Sequence, residues 1–559
     1  MSDSQACAAA IVAQLVAQGV REFVASPGSR SAGLTLAALS AEGMEHVWQV
    51  ADQAIPVGRT RAHMRSDERT AGFLALGLAK QGQPSVVITT SGTAAGNLLP
   101  AVMEAWHSQL PLIVVTADRP SHQVGFGVNQ TADQQGLFKG FTRWAAEVDC
   151  RAPRQSWFAQ AARAFLAASG LLGEPPGPVH LNVRLAPPLT VAGPVPLPEA
   201  RPVAAERPAE AEPVMLPGGR KTIVVAGDQA DAQAALRLAE EARVPLIAEP
   251  SSNARRGPNA LGCGRIVLRS ALAQEIERVV VYGRPNCSRE VAELLAREDV
   301  EIVSVGSRRA DPGQRASRFV GGVTMLPEDQ TWLSRWKGAN DKVSAALAEI
   351  LTASESPITG PGLARRLMAN LEEGDILYLG ASNPVRDADL APVKDWNTRW
   401  WHASTGTILA NRGLSGIDGA VSSAIGAALR NPAARNTLYC GDLTFLHDAN
   451  GLAVPPGSDV PDLRIVVADD HGGSIFATLE YGAPEYGGQF ERAFAVPAPT
   501  DLVALAQSHG VRASRVSTMP DLDRALASRL RGVDVVVVDV DRRGRKALAQ
   551  QVAALARVV

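Results

Sequence analysis

The chain has 559 residues, 46% hydrophobic and 20% charged, and its 55 basic and 57 acidic side chains leave a formal net charge of −2. That length allows roughly three or four domains with an ample core, and so balanced a charge gives no reason to expect nucleic acid or an anionic membrane surface as a partner. No run approaches the ~20 apolar residues of a membrane span, and Met1-Ser2-Asp3-Ser4-Gln5 lacks the basic region and apolar core of a signal peptide, so neither membrane insertion nor secretion is expected.

In chain order, residues 4–18 read as an amphipathic helix, 23–25 as a strand and 31–41 as a helix after the turn Ser26-Pro27-Gly28-Ser29-Arg30. Residues 68–80 read as a helix, 85–89 as a strand, 94–106 as a helix and 112–116 as a strand. Strands alternating with helices of this length predict a parallel, doubly covered sheet. Nine of the chain's 37 prolines fall between 187 and 217, without helical periodicity, which predicts a stiff linker. A second α/β unit follows, with strands at 222–226, 279–282 and 301–305 and a helix at 230–242. It ends near the turn-rich join at 354–360 and carries no Gly-x-Gly-x-x-Gly fingerprint for a dinucleotide. A third unit opens with a strand at 376–379 and closes with a strand at 533–538 and a helix from about 544 to 556. The five cysteines are scattered, odd in number and without a Cys-x-x-Cys pair, which points to a reducing cytoplasm rather than to disulfides or zinc.

The third unit holds the stretch most informative about chemistry. It begins Asn411-Arg412-Gly413-Leu414-Ser415-Gly416-Ile417-Asp418-Gly419 and passes Cys440-Gly441-Asp442-Leu443-Thr444. It ends Val467-Ala468-Asp469-Asp470-His471-Gly472-Gly473-Ser474-Ile475-Phe476. Residues 437–440 and 463–468 are apolar runs suited to buried parallel strands, and each delivers an Asp-Gly turn where α/β sheets bind ligands. Asp442 and Asp470 could flank one divalent ion, while Gly441, Gly472 and Gly473 would let backbone approach a diphosphate. Either turn alone is also what an ordinary strand end carries.

Together these segments resemble the diphosphate- and metal-binding motif of thiamine diphosphate enzymes. More narrowly, Asn-Arg-Gly-x-Ser-Gly-Ile-Asp-Gly, Gly-Asp-Leu and Gly-Gly-x-Ile-Phe look like the 2-succinyl-5-enolpyruvyl-6-hydroxy-3-cyclohexene-1-carboxylate synthase family of menaquinone biosynthesis. The resemblance implies three doubly wound parallel-sheet domains: pyrimidine-binding (1–186), central (218–355, after the linker 187–217) and diphosphate-binding (356–559). It implies thiamine diphosphate with Mg²⁺, or Mn²⁺, as cofactors, and 2-oxoglutarate and isochorismate as substrates. It also implies a homo-oligomer, a dimer or dimer of dimers, whose sites are shared across a two-fold axis.

Residue by residue, the resemblance makes Glu68 the catalytic carboxylate, since Asp67-Glu68-Arg69 precedes Ala-Gly-x-x-Ala-Leu-Gly. An acid in a first helical turn behind an Asp cap is also explained by the helix dipole alone. Ile417 would be the apolar wedge that holds the cofactor bent, or an ordinary buried isoleucine. Gly92, Thr93, Gly441, Asp442, Leu443, Gly472, Gly473, Ile475 and Phe476 complete the implied cofactor set, with Asp442, Asp470 and Gly472 on the metal. Two dicarboxylate substrates call for guanidinium forks, for which Arg30, Arg119, Arg386 and Arg412 match family motifs; Arg289 matches less well, because the family often has Lys-Arg where this chain has Ser288-Arg289. Ser29, Asn129, Gln130 and Ser382 match polar substrate positions, and Gln130, Arg386 and Arg412 are placed with Glu68 in the catalytic set. Two departures stand out. The run 45–66 is longer than the short strand expected before Glu68, and Asp470 stands where relatives commonly carry Asn. The competing readings are another thiamine diphosphate enzyme acting on pyruvate or an acyl-CoA, and a non-catalytic binding protein on the same fold.

Overall fold

Valine- and isoleucine-rich runs, buried on both faces, build three parallel sheets in this protein. The computed structural model describes residues 1–50, 53–206, 212–307, 310–353, 357–391 and 406–559, and the side chains of 47–57 lie outside that description. The chain divides into two units. The first comprises Met1–Pro208, Gly413–Pro432 and His447–Asp462; the second comprises Ala209–Arg412, Ala433–Leu446 and Leu463–Val559.

The first unit has strands β1 (Glu22–Ser26), β2 (Glu45–Val50), β3 (Gln53–Arg59), β4 (Arg61–Met64), β5 (Ser85–Thr89), β6 (Leu112–Asp118), β7 (Trp144–Asp149) and β8 (Val179–Arg184). Its six-stranded parallel sheet has the order β4-β1-β5-β6-β8-β7. The unexpected length of 45–66 is explained by β2 and β3, which pair with each other antiparallel before β4 enters the sheet. The first helix, Asp3–Ala17, is not amphipathic in place, for nearly every side chain from Ser4 to Val16 is buried. Part of its cover is the proline-rich segment, since Gln5 donates to the Val191 carbonyl (3.2 Å) and Gln14 to that of Arg201 (2.8 Å). The expected linker is therefore strapped to the helix over this stretch, and residues 207–211 lie outside the described residues. The single helix expected over 94–106 is instead two, Thr93–Gly96 and Leu99–His107, with Pro100 in the first turn of the second, where its missing N–H costs nothing.

Helix Glu68–Ala79 crosses helix Ala420–Arg430 at backbone range. A Cβ on Gly77 would lie 2.0 Å from the Ser423 carbonyl oxygen and one on Gly426 2.2 Å from that of Leu74, so both positions require glycine.

A polar chain runs inside the sheet. Thr116 Oγ1 donates to Asn182 (2.9 Å), so the 2.7 Å contact between Thr116 and His180 Nε2 is the imidazole's donation. Gln134 donates to Asn182 (3.0 Å) and accepts from the Gly92 N–H (2.8 Å). Burial holds the His180 pKa down to about 4. An unfolded chain would protonate this imidazole near its ordinary 6.5 whereas the folded one would not, so the stability it contributes is full above pH 6.5 and lost as pH falls toward 4. Thermal melts across that window are expected to show the wild type losing more Tm than His180→Gln; parallel slopes would show that His180 does not govern the acid limb.

The second unit carries two large sheets and a two-stranded pair. Strands β9 (Val214–Leu216), β10 (Thr222–Ala226), β11 (Leu246–Ala248), β12 (Arg278–Tyr282), β13 (Glu301–Val305), β14 (Ala316–Val320) and β15 (Val323–Met325) form the five-stranded sheet β11-β10-β12-β13-β14 and the pair β15-β9. The end of the central domain expected near 354–360 falls partly on 354–356, outside the described residues. Strands β16 (Ile376–Leu379), β17 (Thr407–Ala410), β18 (Asn436–Gly441), β19 (Leu463–Asp469), β20 (Arg512–Val516) and β21 (Val533–Asp539) form a parallel sheet, β17-β16-β18-β19-β21-β20. One apolar core packs β10, β12 and β13 against helix Gln330–Ala353, with Trp336 and Val343, and helix Arg545–Ala554, with Leu548 and Val552. Among the described residues no helix is long and apolar enough to cross a membrane.

Candidate active site

In the second unit the two Asp-Gly turns meet. Strand β18 ends at Gly441 and β19 at Asp469, and the Asp442 carboxylate accepts the Leu443 N–H and the Gly472 N–H, each at 2.7 Å. Burial raises the Asp442 pKa to about 6, with Asp469 adding to the effect against those N–H groups. Asp470 is pushed up to about 7, mainly by burial and further by Asp442, while its hydrogen bond from Ser474 opposes the shift. Two carboxylates that crowd each other in this way are a donor set whose repulsion a divalent cation would relieve. Among the described residues no three His, Cys, Asp or Glu side chains form a metal cage of their own. The protein thus offers a partial shell of the kind Mg²⁺ completes with water and phosphate oxygens.

A cavity of about 350 Å³ opens beside Asp442, lined also by Leu443, Asp469, His471 and Arg515. Space around Gly441 is open, consistent with backbone approaching a ligand there. Gly472 (φ 129°) and Gly473 are glycine for another reason: a Cβ would strike the Ala495 carbonyl at 2.3 Å and the Phe494 carbonyl at 2.5 Å. Asp469, which sequence reasoning passed over, is buried and paired with Arg515 at 2.8 Å.

Beyond β16 lies the cationic side of this unit. Ser382 sits at φ 69°, and its carbonyl accepts from Arg386 Nη1 at 2.8 Å, within one turn of helix Asn383–Ala388. Burial lowers the Arg386 pKa, and Arg412 and Arg265 depress it further by like-charge repulsion. Arg386, Arg289, Arg265, Asn383 and Ile475 line a cavity of about 430 Å³. Phe476 instead packs against Phe494, its ring centroid 5.9 Å away.

In the first unit Asp67 caps helix Glu68–Ala79, accepting from Arg69 N (2.9 Å) and Thr70 N (3.3 Å), which leaves Glu68 half-buried at the first helical position. Its carboxylate accepts from Asn97 Nδ2 at 3.3 Å. Gly92 (φ 82°) and Thr93 form the turn after β5. Arg30 and Arg119 follow β1 and β6; burial lowers the Arg30 pKa and the Arg119 charge lowers it further. Arg30 donates to the Leu185 carbonyl (2.8 Å), and Arg119 to Ser91 Oγ (2.7 Å) and the Gln130 carbonyl (2.8 Å). Ser29, Asn129 and Gln130 are exposed around them.

The turn bearing Ile417 is fixed by a residue that the sequence did not single out. Glu104, wholly buried, accepts N–H groups from Gly413 (2.9 Å), Leu414 (2.6 Å) and Ser415 (2.8 Å). A lone Glu on an apolar helix face carries no visible signal, because its partners lie more than three hundred positions away.

Two family models match, thiamine pyrophosphate enzyme N-terminal TPP binding domain over residues 6–137 and thiamine pyrophosphate enzyme C-terminal TPP binding domain over 393–540. The chain is 42% identical to a 2-succinyl-5-enolpyruvyl-6-hydroxy-3-cyclohexene-1-carboxylate synthase from Nocardioides sp., over 98% of this chain and 97% of that one. Synthases of the same name from Kineococcus radiotolerans (42% identical, 100% and 99% covered) and Rhodococcus erythropolis (39%, 99% and 100%) are similar from end to end. The chain belongs to this synthase family. Its three parallel sheets are those of the family's three-domain fold, and it is a thiamine diphosphate enzyme.

Within this synthase fold, Glu104 makes a sharp prediction. Glu104→Ala would remove the carboxylate that lies 3.9 Å from the Lys80 ammonium and that accepts three N–H groups. A loss on the order of 3 kcal/mol in denaturant unfolding is expected. A loss under about 1 kcal/mol would show that water replaces the carboxylate.

Proposed function

We propose that this protein condenses 2-oxoglutarate with isochorismate, releasing carbon dioxide and giving 2-succinyl-5-enolpyruvyl-6-hydroxy-3-cyclohexene-1-carboxylate for menaquinone biosynthesis, in the cytoplasm. The observation that carries the substrate assignment is electrostatic. Among the described residues Arg30, Arg119, Arg386 and Arg412 make their hydrogen bonds to neutral oxygens, of Leu185, Ser91, Gln130, Ser382 and Asn286, which leaves each charge to a ligand. Arginines with a structural duty behave otherwise: Arg184 pairs with Asp118 and Arg255 with Asp389. Two dicarboxylates need such free forks and a single small monocarboxylate does not.

Thiamine diphosphate supplies the carbanion chemistry that decarboxylation requires. In this reading Asp442, Asp470 and the Gly472 carbonyl would hold Mg²⁺, or Mn²⁺. Gly92, Thr93, Ile417, Leu443, Gly473, Ile475 and Phe476 would line the cofactor, and Glu68 would exchange a proton with it. Ser382 and Arg386 take the distal carboxylate of 2-oxoglutarate; Ser29, Arg30, Arg119, Asn129, Gln130, Arg289 and Arg412 serve the remaining anionic and polar groups. The domains would be pyrimidine-binding (1–186), central (218–355) and diphosphate-binding (356–559).

Incubation with both substrates, with and without thiamine diphosphate and Mg²⁺, followed by mass analysis, is expected to yield the adduct only when both cofactors are present; no adduct would overturn the assignment. In the same assay Arg386→Ala is expected to lower kcat/KM for 2-oxoglutarate by about thirtyfold or more, about 2 kcal/mol. An unchanged value would remove Arg386 from the substrate site.

A homo-oligomer, dimer or dimer of dimers, completes the proposal. Mixing inactive Glu68→Gln and Asp442→Ala chains should restore about a quarter of the sites at random assortment if each site draws on two protomers. No recovery after verified subunit exchange would show that sites are not shared.

A further inference from the structure

The loop of the central sheet that leads to Arg289 also grips a second substrate-site candidate. After β12 the chain runs Gly283-Arg284-Pro285-Asn286-Cys287-Ser288 into helix Arg289–Leu295. The Asn286 side chain accepts from Arg412 Nε (3.1 Å) and Nη2 (2.7 Å), and its backbone carbonyl accepts from Nη2 as well (3.0 Å). The clasp is reciprocal, since Asn286 Nδ2 donates to the Arg412 carbonyl at 2.9 Å. Both the guanidinium and the backbone of Arg412 are therefore set by one residue.

The loop is itself anchored. Cys287 N–H donates to the buried Glu249 carboxyl at 2.6 Å, and Cys287 Sγ lies 3.9 Å from the Val385 carbonyl on the helix that carries Arg386. Asn286 thus stands between two fixed points, Glu249 on one side and Arg412 on the other.

The chemistry of the clasp matters as much as its geometry. An aspartate at this place would hold a guanidinium more tightly and would also neutralise it. Asparagine holds it with a neutral amide, so the positive charge stays available to an anion. We infer that Asn286 is a positioning residue that fixes the pose of Arg412 while leaving it uncompensated, and that through it the central domain takes part in selecting an anionic substrate. The inference rests on the reading that Arg412 binds a substrate carboxylate.

A double-mutant cycle tests it, read as KM and kcat for 2-oxoglutarate and isochorismate separately. Asn286→Ala is expected to raise KM for one substrate by about tenfold or more, the cost of a lost hydrogen bond to a charged group, with a smaller change in kcat. Added to Arg412→Ala it should have no further effect. Asn286→Asp, which keeps an acceptor but adds a charge, should also raise that KM. If Arg412→Ala changes KM for neither substrate, the reading of Arg412 fails and the inference with it. If Arg412→Ala raises KM and Asn286→Ala does not, the reading stands and the clasp is overturned. Multiplicative effects in the double variant would show that Asn286 acts through the fold, and a wild-type KM in Asn286→Asp would refute the requirement for neutrality.

Discussion

A buried carboxylate decides where the turn bearing the wedge candidate can run. Burial alone would make Glu104 take up a proton; Lys80 and the successive N–H groups of the turn outweigh that and hold its pKa below the usual carboxylate range. An ionised group accepting two or three N–H bonds is rigid, because any excursion strands a charge in low dielectric. Gly413 is part of the same constraint, for a Cβ there would lie 2.6 Å from Ser108 Oγ, and Ser108 donates to Glu104 at 2.7 Å. From this anchored start the chain passes Ile417 and enters helix Ala420–Arg430, whose crossing with the helix of Glu68 admits only glycine at Gly77 and Gly426.

Charge is the second organising term. Burial first, and then the nearness of Arg119 to Arg30 and of Arg412 and Arg265 to Arg386, disfavours the charged forms and lowers the pKa values of Arg30 and Arg386. A polyanionic ligand at either cluster would offset that cost, and it would meet donors already oriented, so little reorganisation would remain. Asp442 and Asp470 show the opposite sign: burial, with neighbouring carboxylates adding to it, raises both pKa values, a cost that a bound cation would offset.

What was legible in the sequence follows from this. Strands such as Ser85–Thr89 and Ile376–Leu379 were legible because full burial on both faces writes an unbroken apolar run. The motif residues were legible because they sit on strand ends, close together in sequence. The amphipathic reading of the first helix failed because solvent exposure on its polar face was assumed, whereas the proline-rich strap covers it. Glu104, Gln134, Asn286 and Asp469 were not legible because each acts through partners remote in sequence or through a backbone N–H, which any residue can supply. The long run 45–66 hid a ribbon whose strands pair only with each other.

Backbone strain and arginine chemistry coincide in this fold. Gln130 (φ 55°) in the first unit and Ser382 (φ 69°) and His471 (φ 57°) in the second adopt left-handed conformations that non-glycine residues avoid, each on a turn that carries candidate residues. Each strained residue presents its carbonyl to a guanidinium: Arg119 to Gln130 (2.8 Å), Arg386 to Ser382 (2.8 Å) and Arg542 to His471 (3.1 Å). A conformation of this kind costs on the order of 1 kcal/mol or more, and a hydrogen bond from a charged donor contributes about as much in return. The strained turn and the arginine are therefore stable together and not apart. For Arg119 and Arg386, both substrate-site candidates, the guanidinium also holds its own turn, so pulling the side chain out of register would release the strain beneath it. The pose of each of these arginines is thus set by the backbone as well as by charge.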